Sequence, residues 1–165
     1  RIAASVSPMK NDNPATISGT ITLAASVPGS AGRWESTAII NDERRRQIIW
    51  DSKSKLTTVY GESGELIAWT ERDAQKFRQV VLASGVRPDV AIEDKWFSRV
   101  IWIEGTKYKA VMTLHGRRRE FGNERLLLTH RDFSSEARFQ CVPELEAAAL
   151  IVAFEVYCVP NCSGK

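Results

Sequence analysis

The sequence predicts an α+β fold in which four antiparallel strands and a helix are followed by four more strands and a second helix. Three observations lead there. Short β-rich runs punctuated by turn residues fill 17–69 and again 95–141. Between them, Ala74, Phe77, Val80, Val81 and Ser84 recur at three- and four-residue spacing, the mark of one helix face. Near the end, PELEAAALIVAFEVYC (143–158) is apolar nearly all round.

Each element follows in order. Residues 1–15 lack periodicity and carry Ser, Pro and Asn, which predicts a flexible arm ahead of a single domain over 16–162. ISGTITLAASV (17–27) is the first strand, closed by PGSAG; WESTAII (34–40), RQIIWD (46–51) and KLTTVY (55–60) follow, and ELIAW (65–69) continues or renews the fourth. Thr70 with Asp73 three residues on forms a capping-box arrangement, and Gly85 supplies a stop, so 70–84 is predicted as a helix. GVRPDVAIED reads as a loop. KWFSRVIWIE (95–104), KYKAVMTLHG (107–116), RLLLTH (125–130) and EARFQC (136–141) make the second block. Pro143 suits the first turn of the last helix, with Glu144 and Glu146 near its positive end. A helix without a polar face is either sunk in a core or shared between subunits. In a chain of 165 residues full burial is hard to arrange, so the expectation is subunit contact.

Composition is that of a soluble globular chain, 43% hydrophobic and 26% charged. Charge distribution says more than the net +3. Nine Lys/Arg fall between Lys95 and Arg131 against three acids, a surplus of six, so the rest of the chain carries −3. Such a zone is either a footprint for a polyanion or a solvated basic surface. Cys141, Cys158 and Cys162 are an odd number without regular spacing, which fits a reducing compartment better than a disulfide framework. His115 and His130 accompany no nucleophile or metal-ligand pattern, and no Gly-rich phosphate loop occurs. The expectation is a non-enzyme without cofactor or metal. No apolar run approaches the roughly 20 residues of a membrane-spanning helix.

Several stretches resemble the Whirly family of single-stranded nucleic-acid-binding proteins, and within it the kinetoplastid mitochondrial guide-RNA-binding proteins. RRQIIWDSKSKLTTVY (45–60) is similar to the Whirly run in which an aromatic residue closes a strand before a basic turn. GELIAWTERDAQKF (64–77) resembles the strand-to-helix passage, and RFQCVPELEAAALIVAFEVYCVPN (138–161) the last strand and apolar helix. The Lys-Gly-Lys motif of the plant proteins is not reproduced, since Gly19 stands between Ser18 and Thr20. The resemblance implies two four-stranded sheets, each followed by a helix (ββββα-ββββα), and a heterotetramer with a paralogous subunit joined through the helices. It also implies a mitochondrial location and a role in RNA editing: holding guide RNA by its backbone for annealing to mRNA. The alternative within the family is a single-stranded DNA-binding protein of organellar genome maintenance or transcription. An interaction module for an acidic protein or membrane surface is a third reading, from another class.

Two arginine triplets draw attention: Arg44, Arg45 and Arg46, and Arg117, Arg118 and Arg119. With Lys53, Lys55, Arg99, Lys107, Lys109 and Arg138 they form the predicted RNA-binding set. Alternation places Lys107 and Lys109 on one face with Val111, Thr113 and His115. Arginine's planar fork suits phosphate, and such clamps hold a backbone without reading sequence. The competing reading is that hairpin tips are charged for solubility and against edge pairing. Among five tryptophans, Trp50 beside the basic turn is the best candidate for stacking a base, whereas Trp96 and Trp102 are expected in the core or a subunit contact.

Overall fold

Period-two alternation runs through more of the chain than the two predicted blocks. The computed structural model describes residues 16–73, 77–95, 98–111, 119–130 and 134–158. They form β1 (Ile17–Thr22), β2 (Ala25–Ser26), β3 (Arg33–Ile40), β4 (Arg44–Asp51), β5 (Leu56–Tyr60), β6 (Leu66–Arg72), β7 (Phe77–Leu82), β8 (Val90–Asp94), β9 (Ser98–Ile103), β10 (Thr106–Val111), β11 (Arg119–Gly122), β12 (Leu126–His130) and β13 (Glu136–Cys141). A 3₁₀ turn (Pro143–Leu145), helix α1 (Glu146–Ala153) and a π-helical turn (Phe154–Cys158) complete the described chain.

All strands belong to one antiparallel sheet ordered β10-β9-β8-β7-β6-β5-β4-β3-β1-β13-β12-β11, with β2 attached to β3. The sheet curls until its two ends meet. Tyr108 on β10 and Phe121 on β11 bring their rings to 5.4 Å, and Asn123 Nδ2 donates to the Tyr108 hydroxyl at 3.2 Å. Above them, Arg125 Nε lies 2.6 Å from Glu104 Oε1. Among the described residues no backbone ladder joins β10 to β11, so the result is a barrel with a side-chain seam.

The helix lies inside. α1 packs against β5, β6 and β7 on one side and β1, β12 and β13 on the other. Leu150, Ile151, Val152, Ala153 and Phe154 are fully buried. The physical reason is size. About eight strands make a barrel that its own side chains can fill, and a wider ring leaves a lumen. Here a helix of roughly 10 Å diameter occupies it, and because wall surrounds it on all sides it needs no polar face. Burying each Leu, Ile, Val or Phe contributes about 2 kcal/mol, so helix and wall stabilise each other.

Four expectations are corrected. The ββββα-ββββα layout of two four-stranded sheets, each followed by a helix, is not what the chain forms. It forms one curled sheet around one helix. The predicted helix over 70–84 is instead the end of β6 and the whole of β7, with 74–76 outside the described residues. Thr70 does not cap a helix; its buried hydroxyl oxygen accepts from the Thr57 amide at 2.9 Å. Asp73 does cap, but it caps a hairpin: its amide donates to Phe77 O and its carboxylate accepts from the Phe77 amide. Finally, the apolar last helix leaves no face for a partner, because its own barrel covers it. The loop expected at 85–94 likewise ends in β8, whose Val90 and Ile92 point into the core. Residues 1–15 lie outside the described residues.

Candidate nucleic-acid interface

Strand ends define two ends of the barrel. At the end where α1 enters, the connecting turns carry Asp42, Glu43, Glu62, Glu65, Asp89, Glu104, Glu124 and Glu144 against Arg87 and Arg125. At the far end the described turns carry Lys53, Lys55 and Lys95 against Asp73. Among the described residues the connecting turns are thus acidic at one end and carry a small cationic excess at the other, a field that favours anions at the far end.

Parity within each strand then sorts the predicted residues. Arg44 and Arg46 point inward, and both bind Glu146 at the start of α1, at 3.0 and 3.6 Å. Arg45 between them points out and is exposed. Consecutive residues of a strand must split this way, so the first triplet never acts as one clamp. Arg99 also points inward: its guanidinium donates to Glu155 O at 2.7 Å and lies 3.6 Å from Asp94. These three arginines are committed to holding the helix.

The outward set is different. Lys107 and Lys109 on β10 are exposed and pair in register with Trp102 and Val100 of β9. Lys107 Nζ sits 5.8 Å from the centre of the Trp102 ring, a cation–π contact. Trp102 is therefore half-buried on the outer wall and not in the core. Lys95 is neutralised by Glu93 at 2.9 Å. That ion pair, helped by the Trp102 indole and Lys107, holds the Glu93 carboxyl below the usual range. Lys53 and Lys55 are exposed on the β4–β5 turn, across the ring from β10. Arg138 on β13 is 73% exposed, and among the described residues its ion-pair partner is Glu136 at 3.8 Å. Arg117 and Arg118 lie outside the described residues; the Arg119 backbone opens β11 opposite His130. Trp50, proposed for stacking, is 1% exposed and belongs to the core.

The predicted set is therefore not one platform. One group, Trp102, Lys107 and Lys109, lies on the wall beside the seam. A second, Arg45 and Arg138, lies on the far wall with β3 and β1 between their strands. The third is Lys53 and Lys55 at the basic end. What sequence reading missed is the inward role of alternate arginines, which the parity of RRR inside a strand would have revealed. Among the described residues no group of three His, Cys, Asp or Glu could hold a metal ion. No helix there is long and apolar enough to cross a membrane. In comparison with known families, curated proteins and solved structures, the chain matches none.

Proposed function

We propose that the protein binds single-stranded RNA through its phosphate backbone, along the wall of β9 and β10 and onto the basic end of the barrel. The observation that supports this most is Lys107 over Trp102, with Lys109 on the same exposed face beside the seam. An aromatic platform flanked by exposed cations is what a sequence-tolerant single-strand binder needs: a base stacks on the ring and the adjacent phosphates meet the amines. A strand held by its backbone leaves its other bases free to pair. The bound strand would then anneal faster to its complement, because its phosphate repulsion is already reduced. Guide RNA as the ligand and mitochondrial RNA editing as the setting come from the Whirly resemblance alone. If a paralogous subunit joins, it docks on the barrel wall, since the helix is enclosed.

The test is anisotropy of a labelled 20-nucleotide RNA and the DNA of the same sequence over a salt series, followed by duplex-formation rates with and without protein. The reading expects RNA binding that weakens steeply with salt and faster annealing. DNA bound as well as or better than RNA would move the reading to single-stranded DNA. No binding of either would end it.

A further inference from the structure

A concave surface lies farther round the barrel from Trp102, on the other side of the seam. Between β1, β12, β13 and the β3–β4 turn runs a groove of about 410 Å³, within the size range of small-molecule sites. Its origin is local. β1 pairs with β3 only over Gly19–Ile21; above that, the turn residue Asn41 takes over, donating its amide to Ser18 O and accepting from the Ser18 amide through Oδ1. Asn41 and Asp42, the central residues of the tight turn that Glu43 closes by donating its amide to Ile40 O, both adopt positive φ, 53° and 60°. Gly19 sets the floor: a Cβ there would meet Ile39 O at 2.5 Å and the Phe139 ring at 2.6 Å, so only glycine lets these strands approach so closely.

The polar groups in the groove are arranged by kind. At one side stands Arg138, whose directly opposed neighbours are Thr20 on β1 and Thr129 on β12. Neither is acidic; Glu136 lies 3.8 Å from Nη2, and the side chain stays 73% exposed, so its guanidinium keeps donors for a ligand. At the other side are Asp42, Asn41 and Gln140, the last paired with Ser18. Thr20 and Ser18 are two residues apart on one strand, about 6.7 Å. A cation flanked by hydroxyls thus shares one groove with a carboxylate and two amides.

We propose that this groove is a binding site for a single ribose phosphate: phosphate on Arg138 with Thr20 and Thr129, ribose hydroxyls on Asp42, Asn41 and Gln140. The guanidinium takes phosphate bidentately. A carboxylate that would repel phosphate is a good acceptor for a 2′-hydroxyl, the group that separates RNA from DNA. The ligand's source is either a nucleotide within an RNA strand or a free ribonucleotide, and the site does not depend on the Trp102 wall.

The experiment is amide NMR of the full chain titrated with uridine 5′-monophosphate, 2′-deoxyuridine 5′-monophosphate and a 20-nucleotide RNA, for wild type and Arg138→Ala. Arg138 is exposed, so its removal leaves the fold intact. The expected result is that the ribonucleotide shifts Gly19, Thr20 and Asn41, that R138A weakens this at least tenfold, and that the deoxynucleotide binds at least threefold more weakly. Groove shifts with RNA as well would identify the strand as a source; groove shifts without any RNA binding would leave the free nucleotide as the ligand and end the RNA reading. Equal affinity for ribo and deoxy forms, shifts unchanged in R138A, or a silent groove while RNA binds elsewhere would each overturn this site.

Discussion

Arg78 and Glu155 meet in the interior of the barrel, Nη2 to Oε1 at 2.6 Å, with neither side chain more than 1% exposed. Glu155 is the acid in the otherwise apolar run that closes the helix, and Thr57 Oγ1 donates to it at 2.6 Å. Arg78 in turn donates to both oxygens of Asp94, at 3.0 and 2.9 Å. Burial by itself would favour loss of the Arg78 proton, but Glu155 and Asp94 outweigh it and hold the guanidinium more firmly charged than usual. The cluster ties the far end of the helix to β5, β7 and β8, as Arg44 and Arg46 tie its start to β4.

Breaking that pair from one side leaves a buried charge alone. Arg78→Met or Glu155→Gln is expected to cost about 3–5 kcal/mol in denaturant unfolding, and the double substitution less than the sum of the two. Strict additivity would show that the two do not act as a unit.

The arginines divide into two experimental classes. Arg44→Ala and Arg46→Ala should lower the melting temperature, because each strips a partner from half-buried Glu146, and should leave the salt dependence of RNA binding unchanged. Lys107→Ala with Lys109→Ala should do the reverse, reducing the slope of log K against log salt by about 1.4, or 0.7 for each phosphate contact. A slope unaltered by the lysine pair would remove the β10 wall from the interface.

Stacking on Trp102 has its own signature. Trp102→Ala should weaken RNA by about 1–3 kcal/mol with an unchanged salt slope, since stacking releases no counterions. A changed slope at equal affinity would count against a stacked base.

Alkaline pH probes the core. Burial pushes the Cys141 thiol, with help from Glu146 and Glu144, and the Cys158 thiol up to about 12 from an ordinary value of 9.0. Between those pH values the unfolded thiols lose their protons while the folded ones keep them. Stability therefore falls as pH rises from 9 to 12 and is not lost on this account below 9. Unfolding curves across that range should flatten in Cys141→Ala/Cys158→Ala. In the native protein at pH 8 both thiols should resist a thiol reagent that labels them after unfolding.

The seam is the weak line of the barrel. Arg125 holds Glu104 at 2.6 Å and Glu144 at 3.3 Å, joining the β9–β10 turn to the start of the helical segment. Arg125→Ala should speed hydrogen exchange of β10 and β11 amides while β4 and β5, which have ladder partners on both sides, exchange as before. Uniform acceleration would mean that the latch is global.

Much of the strand content was legible because alternation and turn chemistry are local: β3, β5, β12 and β13 lie where their patterns put them, β4 starts two residues earlier than expected, at Arg44, and Pro143 opens the last helical segment. Residues 70–82 misled because Thr70, Asp73 and the spacing of Phe77, Val80 and Val81 serve a hairpin as well as a helix; only a neighbouring strand to pair with decides. The basic residues of the candidate sites were visible as residue types, but their grouping was not.

By itself, then, the sequence determined that the chain is rich in short antiparallel strands, that it ends in a helix apolar on every side, and that its positive charge concentrates between 95 and 131. The tertiary structure decided what encloses that helix and which cations remain free. Both depend on closure of the sheet: a ring wider than its side chains can fill turns an apolar helix into a core. The same closure sends Arg44, Arg46 and Arg99 inward to carboxylates and leaves Arg45, Lys107, Lys109 and Arg138 facing solvent.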